Sequence, residues 1–189
     1  MMVRVRFCFL SIWTILDPIY YMFTRLKYIY CENNHRTIFR IRLTRYKGIP
    51  LTLADGTIIK KNDLLIKIHL HNVKLMNEMC KIKGETVKGR LIYNKVKEGL
   101  PGLAAYVQQH PQFDEIKGII GITMLNKGCK RLGFETFSIK NKLYCLVKQI
   151  VFIPMYLLTS NQYTRNTLKR PPKYLFMTKG DLLSKYFIK

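Results

Sequence analysis

Two stretches of this chain alternate apolar and polar residues, and a turn signal lies between them. Residues 37–46 (TIFRIRLTRY) and residues 64–71 (LLIKIHLH) both follow a period of two. This period predicts two half-buried strands, because successive side chains of a strand point to opposite faces of a sheet. Asp55-Gly56 lies between further apolar flanks and predicts a hairpin turn. Strands that follow one another so closely predict an antiparallel meander.

Helical spacing replaces the alternation after the second of these strands. Apolar residues recur at intervals of three and four over residues 73–82 and 86–109, and Pro101-Gly102 is placed to kink or divide the second helix. Residues 141–159 (NKLYCLVKQIVFIPMYLLT) predict another, strongly apolar helix. We therefore expect long helices to cover the predicted strands.

Two further apolar runs complete the predicted sheet. Residues 116–125 (IKGIIGITML) are apolar on both faces, as a central strand would be, and residues 134–139 predict one more strand. A last short helix is predicted at DLLSKYF, near the C-terminus. The elements together predict an α/β domain of the α+β type, with a mainly antiparallel sheet of five to six strands packed with long apolar helices.

The N-terminal segment combines an apolar run with basic flanks. Residues 7–24 (FCFLSIWTILDPIYYMFT) are almost wholly apolar, and Asp17-Pro18 lies in the middle of the run. That pair disfavours a transmembrane span, because an ionised carboxylate and a missing backbone donor are both costly in hydrocarbon. We expect an amphipathic helix over residues 1–30 that lies at a membrane interface, with packing on the protein's own core as the alternative.

Charge gives the first clue to a partner. The 189 residues include 33 Lys and Arg against 11 Asp and Glu, a net charge of +22, while 48% hydrophobic residues argue against disorder. Basic residues are densest towards the ends, so the chain divides into the N-terminal helix, an α+β core domain at 31–160 and a basic C-terminal tail at 161–189. A polyanionic partner is expected, either an anionic membrane surface or, as a weaker alternative, a nucleic acid. The remaining alternative is that the basic residues form an ordinary solvated surface with no polyanionic partner.

Cysteine usage indicates the compartment. The chain has five cysteines, an odd number, and no two of them have C-x-x-C spacing. Neither a disulfide framework nor a zinc ribbon is indicated. We expect reduced thiols in a reducing compartment, at the cytoplasmic face of the membrane.

The candidate site lies at the end of the second alternating strand. His69 is the obvious general acid or base there, because an imidazole titrates near neutral pH. Asn72 follows, where its side chain could orient His69 or cap the next helix. Both are candidate catalytic residues, and a structural role for the strand-end histidine and asparagine is the alternative.

A basic surface is predicted around this histidine. Lys67 and His71 share the face of His69, and Arg40 and Arg42 join them if the two alternating strands are neighbours. Such a surface suits a phosphate or carboxylate. A metal is not expected, because the two histidines lack a third ligand at suitable spacing. The sequence names no cofactor.

Motifs of the common catalytic and nucleic-acid-binding families are absent. The chain has no G-x-S-x-G, Walker A loop, G-x-G-x-x-G or H-E-x-x-H, and no recognisable RNA- or DNA-binding module. A weak likeness to GNAT acyltransferases rests on LGFE at residues 132–135 after a strand and a helix. The acyl-CoA pyrophosphate loop of that family is not met at residues 126–130, so this likeness stays an alternative.

Five segments carry a stronger resemblance. The runs LDPIYYMFTRL, IFRIRLTRYKG, DGTIIKKNDLLIKIHLHN, IKGIIGITMLNKGCKRLGFE and KRPPKYLFM are similar to those of YkoP-like proteins of spore-forming bacteria, over nearly the whole chain. The family has no assigned activity, and related domains occur joined to polysaccharide deacetylases, whose T-F-D-D-G metal motif is absent here. His69 and Asn72 fall in the block that looks like the family signature, downstream of Gly56 and Asp63.

The charge and the resemblance together lead to one expected function. The resemblance implies work on cell-envelope or spore polysaccharide, with enzymes of that metabolism as partners. We expect a peripheral membrane protein that assists this metabolism by binding an anionic lipid or a lipid-linked sugar phosphate at the Arg40, Arg42 and His69 surface. The rivals are a GNAT-like acyltransferase with His69 as base, and a nucleic-acid-binding protein.

Overall fold

The described part of the chain begins within the apolar N-terminal run. The predicted helix at 1–30 therefore lies mostly outside the described residues, although Pro18, Tyr21 and Met22 are helical. Within α3, defined below, the side chains of residues 151 and 153–159 are not described. The structure, a computed structural model, describes residues 18, 21–22, 26–30, 35–79, 82–124, 128–159 and 171–187.

The described residues form eight strands and four α-helices. No helix among these segments is long and apolar enough to cross a membrane. A short 3-10 helix lies at Cys129–Leu132. In chain order, the strands are β1 (Lys27–Tyr30), β2 (Arg36–Arg45), β3 (Leu51–Thr52), β4 (Ile58–Ile59), β5 (Leu64–Leu70), β6 (Ile116–Thr123), β7 (Glu135–Ser138) and β8 (Lys173–Thr178), and the helices are α1 (Asn72–Met79), α2 (Glu85–Gln108), α3 (Lys142–Thr159) and α4 (Lys179–Tyr186).

Six strands form one sheet in the order β1-β2-β5-β6-β8-β7. Every neighbouring pair is antiparallel except β5 and β6, which run parallel. A parallel pair needs a long crossover connection, and α1 with α2 supplies it. The α+β class and the mainly antiparallel sheet are confirmed. The predicted meander is not formed, because the short strands β3 and β4 pair with each other and β2 pairs directly with β5.

The sheet extends beyond the predicted core domain at both ends. Lys27–Tyr30, which the sequence assigned to the N-terminal segment, is the edge strand β1 beside β2. Lys173–Thr178, which the sequence assigned to the basic tail, is β8 between β6 and β7. Both segments are too short to reveal a period of two. These segments are strands because they pair with other strands of the sheet, and the local sequence pattern does not reveal such pairing.

One face of the sheet is covered along its length, and the other only in part. On the first face, α2 and α4 pack on buried residues of the central strands such as Phe39, Ile66 and Ile119. On the second face, the β3–β4 hairpin packs on Leu65 and Phe176 and covers one end. The other end of the second face carries the polar side chains of β2 and β5.

Two glycines of α2 give a matched test of how this helix packs. A Cβ at Gly102 would clash with the backbone carbonyl oxygen of Tyr30 in β1, whereas a Cβ at Gly89 would meet nothing within 4 Å. We expect Gly102→Ala to lower the free energy of unfolding by roughly 1–3 kcal/mol through overpacking. Gly89→Ala should raise it by about 0.5–1 kcal/mol, because alanine favours a helix. Urea unfolding measures both, and equal effects would show that α2 does not contact β1.

Candidate functional site

The register of β2 and β5 brings four of the predicted site residues together. Arg40 lies opposite His69, and Arg42 lies opposite Lys67. Directly opposed residues of an antiparallel pair point to the same face, so the four side chains occupy adjacent corners of one patch. Lys148 of α3 lies close enough to lower the pKa of both His69 and Lys67. We call Arg40, Arg42, Lys67, His69 and Lys148 the basic cluster.

The basic cluster is partly withdrawn from water. Arg40 retains only 4% of its exposure, and Arg42, Lys67, His69 and Lys148 are half-buried. Arginine and lysine are rarely buried without a partner, because their charge loses its hydration. Such burial of several cations on one patch is unfavourable unless negative charge is supplied.

Repulsion between cations adds to burial in shifting the pKa values of Lys67, His69 and Lys148. Burial, reinforced by Lys148 and Arg42, lowers the pKa of Lys67 from 10.5 to about 8. Burial and the neighbouring cations, Lys67 first, lower the pKa of His69 from 6.5 to about 3. Burial and Arg42 also lower the pKa of Lys148. The charged groups that act on these three pKa values are all cations, so each of them disfavours the protonated form.

Arginine donors of the cluster differ in how they are held. The Arg40 Nη2 donates a hydrogen bond of 2.6 Å to the Tyr28 hydroxyl, and its guanidinium lies 5.0 Å from the Tyr28 ring centre and 5.3 Å from that of Tyr21. Aromatic contacts of this kind fix the guanidinium plane. Arg42 Nε is buried and makes no hydrogen bond within the described part of the chain. Arg42 therefore has a donor available for a ligand.

The remaining predicted residues lie at the junction of β5 and α1. The His71 backbone N–H donates to the Ile38 carbonyl, and the His71 carbonyl accepts the first hydrogen bond of the helix, from Leu75 N at 3.1 Å. The His71 ring contacts the edge of Tyr28, with ring centres 5.9 Å apart. Asn72 is the first residue of α1, so His71, which precedes it, is the N-cap residue of this helix.

Sequence reasoning missed an aromatic cavity beside the cluster. The cavity is open, has a volume of about 540 Å³, and shares Tyr28 and Tyr21 with the surroundings of Arg40. Tyrosines and basic residues interleave in the sequence here, but only the β1–β2 pairing makes them one concave surface. The lining residues are Pro18, Tyr21, Lys27, Tyr28, Tyr30 and Arg36. Among the described residues no group of His, Cys, Asp and Glu could hold a metal ion.

The fold and this patch define a small α+β protein with a half-buried cluster of cations on the partly covered face of a mixed sheet. The family model described as YkoP domain matches residues 6–186, and the chain belongs to that family. It is 45% identical over 182 residues to "Uncharacterized protein YkoP" of Bacillus subtilis (strain 168), which covers 96% of this chain and 98% of that protein. The resemblance to YkoP-like proteins is thereby confirmed at the level of the family. No solved structure matches the chain.

Proposed function

We propose that this protein is a peripheral membrane-associated protein that binds the phosphate of an anionic lipid or of a lipid-linked sugar phosphate at the basic cluster. The observation that carries the proposal is the half-buried pair Arg42 and Lys67, which lie opposite each other on β2 and β5: Arg42 Nε makes no hydrogen bond within the described residues, and Lys148 and Arg42 both lower the pKa of Lys67. A bound phosphate would place negative charge beside Arg42 and Lys67 and would relieve the repulsion between Lys67 and its cationic neighbours.

Residue chemistry favours phosphate over other anions. Arginine presents a planar fork of donors that matches phosphate oxygens, and lysine adds a mobile point charge. Arg40 and Arg42 are two residues apart on one strand, so their guanidinium groups project from the same face. The aromatic cavity beside Arg40 would accommodate a sugar covalently attached to the phosphate.

The membrane part of the proposal rests on charge. Each lysine or arginine near an acidic lipid surface contributes about 1 kcal/mol to binding, and this chain has a net charge of +22. The acidic leaflet faces the cytoplasm, a reducing compartment, and the thiol of Cys145 is not in a disulfide. We therefore propose the cytoplasmic face of the membrane as the location.

The biological setting follows from the resemblance rather than from the site. YkoP-like proteins of spore-forming bacteria, with related domains joined to polysaccharide deacetylases, suggest a role in cell-envelope or spore polysaccharide metabolism. Enzymes of that metabolism are the proposed partners. The chain would assist them by holding a lipid-linked intermediate and would not perform deacetylation, since the T-F-D-D-G motif is absent.

The acyltransferase alternative draws no support from His69. A general base works best when its pKa lies near the working pH, and the pKa of His69 is lowered to about 3. At neutral pH the imidazole is neutral but a weak proton acceptor. His69 serves the proposed site better as an uncharged neighbour that does not add to the repulsion.

A pair of arginines on β2 tests the proposal. Arg42 belongs to the cluster, whereas Arg45 is exposed and donates to the Asn62 carbonyl. Arg42→Gln and Arg45→Gln remove the same charge, so general attraction to an anionic surface falls equally in both. We expect Arg42→Gln to weaken binding to phosphatidic-acid vesicles and to glucose 1-phosphate about tenfold, and Arg45→Gln to change neither by more than about twofold.

Vesicle co-sedimentation and calorimetry measure these affinities over a range of salt concentrations. Glucose 1-phosphate and inorganic phosphate separate a sugar phosphate from phosphate alone. Equal losses in the two variants would leave only general electrostatics and would refute a site at Arg42. Binding to single-stranded DNA that is tighter than binding to either vesicle or sugar phosphate would favour the nucleic-acid alternative.

A further inference from the structure

The first two turns of helix α3 carry apolar side chains that are exposed to solvent. Leu143, Leu146, Val147 and Ile150 are between 48% and 72% exposed. Their spacing of three, one and three residues places them on one side of the helix, two turns long. We call these four residues the apolar stripe. An exposed contiguous apolar surface on a soluble helix marks a contact with a partner or a membrane.

Two polar residues of the same helix lie on another side. Lys148 and Gln149 are half-buried, and Lys148 lies near Arg42, Lys67 and His69 of the basic cluster. A helix that packs on a protein core normally buries its apolar side. In the first two turns of α3, Lys148 instead lies near the patch on the sheet, while Leu143, Leu146, Val147 and Ile150 are exposed.

We infer that the apolar stripe inserts into the interfacial layer of an anionic bilayer, which brings the basic cluster beneath α3 to the level of the lipid phosphates. The inference rests on the proposed function and adds the element that contacts the membrane. Interfacial helices combine an apolar side that enters the acyl boundary with cations that contact the headgroups. Here the apolar stripe supplies the first part, and Lys140, Lys142 and Lys148 supply the second.

Charge complementarity selects an anionic bilayer over a second copy of the chain. Lys140 and Lys142 are exposed at the start of α3, beside Leu143. Two copies joined through the apolar stripe would bring these cations and two basic clusters together, and each copy has a net charge of +22. Acidic lipids offer the opposite charge over the same area as the apolar contact.

The chain offers a matched pair of variants for the test. Leu146 is 53% exposed on α3, and Val87 is 54% exposed on α2, away from the stripe. We expect the double variant Leu146→Asn, Val147→Asn to weaken binding to phosphatidic-acid vesicles at least tenfold and to leave glucose 1-phosphate binding unchanged. Val87→Asn should change neither. Both variants should keep the wild-type urea midpoint within error, because the replaced side chains are exposed.

A fluorescent probe reports insertion directly. With Trp13 replaced by phenylalanine, Val147→Trp should shift its emission to the blue and be quenched by brominated acyl chains when vesicles are added. Val87→Trp should show neither change. Full vesicle binding by the Leu146→Asn, Val147→Asn variant, or no shift at position 147, would overturn the inference.

The outcomes separate this inference from the proposed function. If Arg42→Gln loses glucose 1-phosphate binding while the stripe variant still binds vesicles fully, the phosphate site stands and the stripe does not contact lipid. If the wild-type chain binds neither phosphate nor anionic vesicles, both fail. A concentration-dependent dimer in sedimentation that disappears in the stripe variant would instead assign the apolar stripe to a second copy of the chain.

Discussion

The Lys67→Met variant is expected to be more stable than the wild type at pH 7 and to bind phosphate at least tenfold more weakly. Methionine is unbranched and only one heavy atom shorter than lysine, and it removes a half-buried cation whose neighbours are Arg42 and Lys148. The gain in the free energy of unfolding should be on the order of 1–2 kcal/mol, after allowance for partial solvent exposure. Stability and binding should therefore change in opposite directions, as at a site strained for its ligand.

The pH dependence of stability tests whether the charge of Lys67 is what destabilises the wild type. The pKa of Lys67 is about 8 in the folded chain and 10.5 when unperturbed, so the unfolded state binds more protons between these values. The free energy of unfolding of the wild type should rise as pH increases from about 8 to 10.5, and this rise should be smaller in Lys67→Met. Urea unfolding at several pH values measures it.

Lys117→Met is the control for this variant. Lys117 is exposed on β6, so its replacement should change stability and phosphate binding little. Lower stability of Lys67→Met together with unchanged phosphate affinity would show that Lys67 supports the fold and does not bind a ligand.

Acid is expected to destabilise the protein through His69. Its pKa is about 3 in the folded chain against 6.5 unperturbed, so the unfolded state binds an extra proton between these values. The sign follows directly: stability is lost as pH falls from 6.5 towards 3. Each pKa unit corresponds to about 1.4 kcal/mol, so the full loss from this one group is on the order of several kcal/mol.

His69→Gln removes the titrating group at similar size. We expect the variant to lose less stability than the wild type between pH 6 and pH 4 in urea unfolding followed by circular dichroism. His35→Gln is the control, because His35 is exposed before β2. Inorganic phosphate should reduce the acid sensitivity of the wild type, since a bound anion favours the charged imidazole. Parallel pH profiles for wild type and His69→Gln would refute a buried, neutral histidine.

Local periodicity was enough to predict much of the fold. The alternation in residues 37–46 and 64–71 marks β2 and β5, and it also sorts Arg40, Arg42, Lys67 and His69 onto one side of their strands. The spacing of three and four marks the position of α2. These predictions succeed because the side-chain direction within an element is set by the backbone geometry of neighbouring residues. The sequence also led us to expect that Pro101-Gly102 would kink or divide this helix, but α2 continues undivided from Glu85 to Gln108 through Pro101.

The hairpin turn at Asp55-Gly56 is present, but its geometry differs from the two-residue turn in which both central residues have a positive φ. Asp55-Gly56 does lie between β3 and β4, and Gly56 has the positive φ of 84° that the turn needs. Asp55 does not share it, because the connection is longer than two residues and Leu53 bonds to both Gly56 and Thr57. The residue type revealed the turn, while the loop length decided its geometry.

By itself, then, the sequence determined which residues share a strand face and which segments are helical. Only the tertiary structure decided that β2 lies beside β5 with Arg40 opposite His69, that Lys148 approaches this patch from α3, and that the apolar stripe of α3 faces outward. The period of the sequence shows which residues lie on the same side of a helix or strand, but it does not show which side packs against the rest of the protein. That packing depends on contacts between residues far apart in the chain, and the same contacts set the burial that shifts the pKa values of Lys67 and His69.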